Sequence, residues 1–337
     1  MTSAALSEAP LARVLAERTL APTGDARLDA AVEALAVAAG ETLVGLVFFG
    51  SRRTGAARVD AWSAYDLFVV VTAYRPFYAA LRRAGLVRRA PWLLAFASRW
   101  LAPTQVSLRF PEQGVHIKGS VIDVRAFERE TGPGRHDHFC IGRLFQPTLL
   151  LRTRDAPARD GLLAALRSAL RETWGWSRPW LPPSFDAEGY GRSALATSMR
   201  WEVRPEPAGR AEQLWQAQRA LQVPVLEALL SELAAAGAIV GAPTTPGAWS
   251  PARPVTGFER ARLATYFRLS IVRATARWLK HMVSFEGWLD YIVQKASRHT
   301  GQEIRLSERE RRFPLVFLWG RVFRHIAETR KGERKRG

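Results

Sequence analysis

Phe49-Gly50-Ser51 closes one apolar run, Leu43–Phe49, and Asp66 opens another, Asp66-Leu67-Phe68-Val69-Val70-Val71. Runs of β-branched and aromatic residues of this length read as buried strands, and the Gly-Ser step punctuates the first as a tight turn. A turn that offers backbone N–H groups to a carboxylate-flanked space can hold a nucleoside triphosphate and its magnesium. Gly50, Ser51 and Arg52 are the expected phosphate contacts, and Asp66 is the expected Mg2+ ligand. Lys118 stands inside a third apolar run, VHIKGSVIDV at 115–124. A lysine near a sheet centre is explained by a phosphate partner. Asp123, at the end of that run, reads in two ways: as a further metal-binding carboxylate that approaches Asp66, or as the cap of a helix over Arg125–Glu130.

Two other groups invite chemistry and resist it. His136, Asp137 and His138 alternate, and residues two apart do not share a helix face, so a metal chelate is not expected. Cys140, the single cysteine, has no zinc-site spacing around it and reads as a small buried residue; it also excludes an internal disulfide framework and fits a reducing compartment.

The elements that must position these residues are legible as a sequence of periods. Ala26–Ala39 has helical spacing and ends at Gly40. Tyr74–Ala84 reads as a second helix, Val106–Phe110 and Val115–Val124 as a strand pair, and Leu149–Leu151 as an edge strand. The fold class expected is α+β: a mixed sheet flanked by helices, followed by a largely helical C-terminal region. Pro91 to Leu101 is apolar and tryptophan-rich, and Trp92 and Trp100 suit either a lipid-facing helix or a core helix packed on the sheet.

The order helix, strand, Gly-Ser, loop, strand with aspartate resembles the nucleotidyltransferase superfamily that includes DNA polymerase beta. That pattern carries two aspartates flanking one residue, and here Ala64 stands in place of the first. Phe49-Gly50-Ser51, Tyr65-Asp66-Leu67-Phe68, Ile117-Lys118-Gly119-Ser120-Val121-Ile122 and Ile141-Gly142-Arg143-Leu144-x-x-Pro147 together are similar to the mitochondrial translocator-maintenance type of phosphatidate cytidylyltransferase. The similarity spans roughly residues 43–155, in four short motifs. The resemblance implies transfer of CMP from CTP to phosphatidic acid with Mg2+, giving CDP-diacylglycerol and pyrophosphate. It implies that Gly50 and Ser51 bind triphosphate, that Asp66 ligates magnesium, and that Lys118 and Arg143 neutralise phosphate charge. The family also lacks the first aspartate. Gln146, where the family has lysine, and Arg52-Arg53 after Ser51 are departures.

Charge points the same way. The 337 residues hold 49 Lys+Arg against 31 Asp+Glu, a net charge of +18, which calls for a polyanionic partner. Residues 259–337 carry 19 Lys/Arg against 8 Asp/Glu, interleaved with apolar and aromatic residues that include Phe317 and Trp319. Basic plus aromatic residues suit an anionic phospholipid surface, with nucleic acid as the alternative partner. No run is long enough to span a bilayer, so a cytoplasmic protein peripheral to the inner face of the membrane is expected. The expected organisation is a flexible lead-in at 1–24, a nucleotidyltransferase domain at 25–155, a helical domain and linker at 156–255, and a basic helical module at 256–337. A nucleotidyltransferase with a non-lipid acceptor, or a non-catalytic nucleotide- or lipid-binding relative, stays open.

Overall fold

The structure, a computed structural model, describes residues 10–55, 64–202, 209–243 and 245–284, together with 289, 293 and 306–309. The chain divides into two compact units, Met1–Lys280 and His281–Gly337. The expected divisions at 155 and 255 fall inside the first unit. Phe317 and Trp319 lie outside the described residues.

The first unit is mixed α+β, built on a five-stranded sheet. Helices α1 (Pro10–Thr19) and α2 (Ala26–Ala39) lead into β1 (Leu43–Phe49), followed by β2 (Tyr65–Val71), α3 (Tyr74–Arg83), α4 (Pro91–Trp100), β3 (Thr104–Phe110) and β4 (Val115–Asp123). Next come α5 (Val124–Thr131), the short α6 (Ile141–Leu144) and β5 (Leu149–Thr153). Helices α7 (Ala156–Ser177), α8 (Ala187–Arg200) and α9 (Arg210–Ala235) precede a two-stranded ribbon, β6 (Ile239–Gly241) with β7 (Trp249–Pro251), and α10 (Gly257–Ser284). The sheet order is β3-β4-β2-β1-β5, with β2 and β4 parallel and every other neighbouring pair antiparallel. A parallel pair needs a crossover, and α3 and α4 supply it.

Strand alternation sorts the apolar residues into two cores. Leu67, Val69, Val71, Ile117 and Val121 pack with α2, α3 and α4. Phe68, Val70 and Ile122 pack on the other face with residues of α1, α5–α9 and the start of α10. The helical half is therefore one wall of the sheet's core. Residues 10–19 are not a loose lead-in: Leu11 and Leu15 are buried in that wall. Nor is 241–255 an open linker, because Phe185 and Trp249 exchange backbone hydrogen bonds of 2.9 and 2.8 Å and dock the ribbon.

Asp25, Asp123, Asp155 and Asp186 cap α2, α5, α7 and α8, each accepting backbone N–H bonds from the first turn. Among the described residues no helix is long and apolar enough to cross a membrane.

Helices α8 and α9 meet at Gly191. A Cβ there would collide with the fully buried Trp215 ring and lie 2.6 Å from Leu226 Cδ1. Gly→Ala in a helix interior ordinarily stabilises. Here overpacking reverses the sign, and Gly191→Ala is expected to lower unfolding stability by about 1–3 kcal/mol. Urea denaturation of the two proteins checks this; a more stable variant would show that the α8–α9 contact is loose.

Candidate active site

Gly50 ends β1 with φ at 87°, in the left-handed region that glycine tolerates. Its backbone faces Asp66 so closely that a Cβ would lie 3.1 Å from Asp66 Oδ2. The contact follows from the sheet, since Phe49 pairs with Asp66 across β1 and β2. The N–H groups of Arg53 and Thr54 both donate back to Gly50 O, at 3.0 and 3.3 Å. Those two amides are spent inside the turn, so the open cradle expected there is smaller.

Parallel pairing sets Lys118 of β4 directly beside Asp66 of β2. Lys118 Nζ lies 3.8 Å from Asp66 Oδ1, with the side chains 20% and 33% exposed. A pair this open is weak and exchangeable against a stronger ligand. By strand alternation both side chains lie on the Phe68 face, under the helical wall.

Arg143 of α6 reaches the same face. Its Nη1 donates to Phe139 O at 2.8 Å, and its guanidinium sits 3.9 Å from the centre of the Phe139 ring. That ring stands edge-on to Phe68, two residues along β2 from Asp66. The structure thus brings Gly50, Asp66 and Lys118 together at one end of the sheet, and Arg143 approaches the same face through Phe139 and Phe68.

Asp123 does not join them. The β2–β4 register pairs it with Val71, five residues from the Asp66–Lys118 pair, or about 16 Å along the strand. It also belongs to the opposite face, where its N–H donates to the Tyr74 hydroxyl at 3.0 Å while Oδ1 caps α5 by accepting from Ala126 N at 2.9 Å. The reading of Asp123 as a metal and catalytic partner of Asp66 is corrected to a helix cap. Arg52 packs beside the turn. Its guanidinium stacks 3.7 Å from the centre of the Tyr65 ring, on the side where the Tyr65 hydroxyl donates to Asp25.

Sequence reasoning missed His116, Ser107 and Arg109. His116 precedes Lys118 by two residues and so shares its face, a relation that the strand period alone contained. Its Nε2 is 2.8 Å from Ser107 Oγ, and Arg109 pairs with it across β3 and β4. Burial, then the neighbouring Arg109 charge, holds the His116 imidazole down to about 4. In the His136–His138 stretch each side chain has a partner of its own. His136 pairs with Glu130, Asp137 with Arg273 and Arg277, and His138 with Ser198. Cys140 is buried.

Among the described residues no group of three His, Cys, Asp or Glu side chains could hold a metal ion. Asp66 fits only a magnesium whose remaining ligands are substrate phosphates and water, an arrangement common for this hard, strongly hydrated ion. On α4, Leu94 and Ala95 pack in the sheet's core, as a core helix would, while Trp92, Phe96 and Trp100 recur every four residues on the outer side and are 64%, 66% and 65% exposed. No protein-family model matches the chain, and no curated protein matches it significantly.

The buried His138 and the half-buried His116 make stability depend on pH in a defined direction. Burial, then Arg135 and Arg143, pushes His138 down to about 3, and His116 stays near 4, against 6.5 for a free imidazole. Below pH 6.5 the unfolded chain takes up protons that the folded chain refuses, so stability falls as pH falls. Each histidine contributes at most about 1.4 kcal/mol per pH unit. Urea midpoints measured from pH 6.5 to 5 are expected to decline, and the slope should be shallower in His116→Gln. A flat wild-type profile over that range would contradict the neutral imidazoles.

Proposed function

We propose that this chain is a nucleotidyltransferase that joins the nucleotidyl group of CTP to the phosphate of phosphatidic acid at an anionic membrane surface. The observation that carries the reading is the Gly50 turn closing on Asp66 with Lys118 in register beside it. The nucleotidyltransferase fold is part of this proposal, supported by the mixed sheet with a Gly-Ser turn and an aspartate on adjoining strand ends.

In the reaction a lipid phosphate oxygen attacks the α-phosphorus of the triphosphate. A new P–O bond forms, the α–β bridge breaks, and its electron pair leaves with pyrophosphate. The attacking phosphate is already ionised near neutral pH, which explains why the site needs no strong general base. Catalysis then reduces to alignment and charge neutralisation. Lys118 and Arg143 are partly exposed cations on the face shared with Asp66, placed to receive phosphate oxygens. Magnesium, held by Asp66 together with the substrate's own phosphates, would supply further neutralisation of the triphosphate. Gly50, having no side chain, lets phosphates approach the turn.

The lipid half of the reading is supported by α4. Between residues 67 and 111 the chain has seven arginines and no Asp, Glu or Lys. Arg82, Arg83, Arg88, Arg89 and Arg99 are exposed there, around the aromatic row Trp92, Phe96, Trp100. Exposed aromatic rings with surrounding cations bind an anionic bilayer through apolar burial plus about 1 kcal/mol per cation near the surface.

Purified protein incubated with labelled CTP, magnesium and phosphatidic-acid vesicles is expected to release pyrophosphate only when lipid is present. Asp66→Asn should reduce turnover by about a hundredfold or more, as loss of a charge-organising group does. Turnover without lipid would replace the acceptor by a non-lipid one. Absence of turnover with any nucleotide, alongside retained binding, would identify a non-catalytic relative. Independently, the triple change Trp92→Ser, Phe96→Ser, Trp100→Ser should weaken co-sedimentation with anionic vesicles about tenfold or more while leaving the fold intact, because these rings contribute to no core.

A further inference from the structure

Three neighbouring strands carry polar side chains on the face of the sheet that holds Phe68. Register sets Lys118 of β4 between Asp66 of β2 and Ser107 of β3, and the next row on the same face pairs His116 with Arg109. Residues paired across adjacent strands share a face, and adjacent strands lie about 4.8 Å apart, so the row from Asp66 to Ser107 spans about 10 Å. Burial on this face stops within two residues. Phe68 and Ser120 are 0% and 1% exposed, whereas Asp66, Lys118, Ser107 and His116 are partly exposed and Arg109 is exposed. On the opposite face of β3, Val106, Leu108 and Phe110 are buried in the core shared with α2 to α4. The sheet thus ends in an open polar shelf over an apolar underside. His116 Nε2 lies 2.8 Å from Ser107 Oγ. Burial, then the Arg109 charge, holds that imidazole neutral near pH 7, so the cations of the shelf are Lys118 and Arg109.

We infer that Ser107 and Arg109 of the edge strand, together with Lys118, form the subsite for the attacking phosphomonoester of the acceptor. The inference rests on the nucleotidyl transfer proposed above and assigns its second substrate to residues. In-line displacement puts the attacking oxygen and the leaving pyrophosphate on opposite sides of the reacting phosphorus. With the triphosphate at the Gly50 turn, on the β1 side of the row, the opposite side is the β3 edge. There Arg109 offers a guanidinium fork and Ser107 a hydroxyl to one phosphate, while Lys118 stands between the two substrates. The edge strand is also the strand that α4 feeds. Only Leu101, Ala102 and Pro103 separate Trp100, the last of the exposed aromatic row, from Thr104 at the start of β3. His116 serves as a positioning residue, its ring nitrogen fixing the Ser107 hydroxyl. The phosphomonoester could be a lipid headgroup or a soluble compound.

The test is calorimetric titration of the full chain, at constant ionic strength, with dihexanoyl phosphatidic acid and, separately, with CTP and magnesium. Arg109→Gln, an exposed position whose change spares both cores, is expected to weaken phosphatidic-acid binding about tenfold, as loss of one charged hydrogen bond does, and to leave CTP binding within about twofold. Ser107→Ala should weaken the same lipid about threefold, as loss of a neutral hydrogen bond does. Arg219→Gln removes an exposed arginine of α9, controls for net charge, and should change neither ligand. An unchanged Arg109→Gln, equal losses in Arg109→Gln and Arg219→Gln, a loss confined to CTP, or no binding of phosphatidic acid by the wild-type chain overturns the subsite. Glycerol 3-phosphate then distinguishes the sources. Binding equal to the lipid's assigns a soluble phosphomonoester, and weaker binding assigns the lipid; either result keeps the subsite. The two readings fail separately. Arg109-dependent phosphomonoester binding without pyrophosphate release from CTP would remove the transfer reading and leave the subsite. Lipid-dependent turnover with an unchanged lipid KM in Arg109→Gln would remove the subsite and leave the transfer.

Discussion

One strand register organises the candidate site. Because β2 and β4 run parallel with Asp66 opposite Lys118, a cation of the inner strand β4 is delivered to the carboxylate that faces the Gly50 turn. A shift of one residue would move Lys118 to the other face, into the apolar layer of α2 to α4. The register is fixed by burial on both faces, since Leu67, Val69 and Val71 belong to one core while Phe68 and Val70 belong to the other. Slippage would invert every one of these side chains. Stability of the sheet and alignment of the site are therefore one requirement.

A second constraint holds the roof of the site. Asp137 accepts from Phe139 N at 2.9 Å, from Arg273 Nε at 3.0 Å and from Arg277 Nη2 at 2.6 Å. Arg277 also donates to Ala102 O, and Lys280 donates to Leu101 O, Pro103 O and Thr104 Oγ1. Helix α10 is thereby tied both to the loop that feeds β3 and to Phe139, the ring that carries Arg143. Burial, then Arg277, pushes Lys280 down to about 6, which marks how strongly this corner resists further positive charge. Asp137 is the single carboxylate among these cations. Removing one partner of such a buried pair leaves an uncompensated charge, a change that ordinarily costs about 3–5 kcal/mol. The basic character of α10 is thus partly an internal fastening and not only a surface for a partner.

The centre of the sheet was legible in the sequence because β1 and β2 are near-continuous apolar runs, and runs buried on both faces have no competing reading as loops. Helix α1 was not, because Pro10 looks like a breaker although proline suits the first helical position. The ribbon at 239–251 was hidden by its Pro and Gly content. At the site, the fold brings Gly50, Asp66 and Lys118 next to one another, and Arg143 lies on the same face beyond Phe139. Asp123 could have been set aside without coordinates: it is five residues from Lys118 in one strand, and an odd separation places the two on opposite faces. Arg52 and Arg53 could not be told apart in sequence. Only the turn geometry sends Arg52 to Tyr65 and Arg53 toward a small cavity whose lining includes Arg18.

The neighbours of Asp66 explain why its centre must work with few carboxylates. A second acid could flank it through the sheet at three places: two residues back along the chain, or across either neighbouring strand. Those places hold Ala64, Lys118 and Phe49. An alanine leaves room, a phenylalanine excludes water, and a lysine supplies positive charge where an acid would have supplied negative. On the proposed reading, the sheet would offer a polyanion one ligand for a shared cation and one cation outright. Arg143 adds another from the roof, held by a ring and a carbonyl and not by a close ion pair, since Glu202 stands 4.0 Å away. A polyanion entering here would exchange a weak Asp66–Lys118 contact for stronger phosphate contacts, and it could do so without breaking any buried pair.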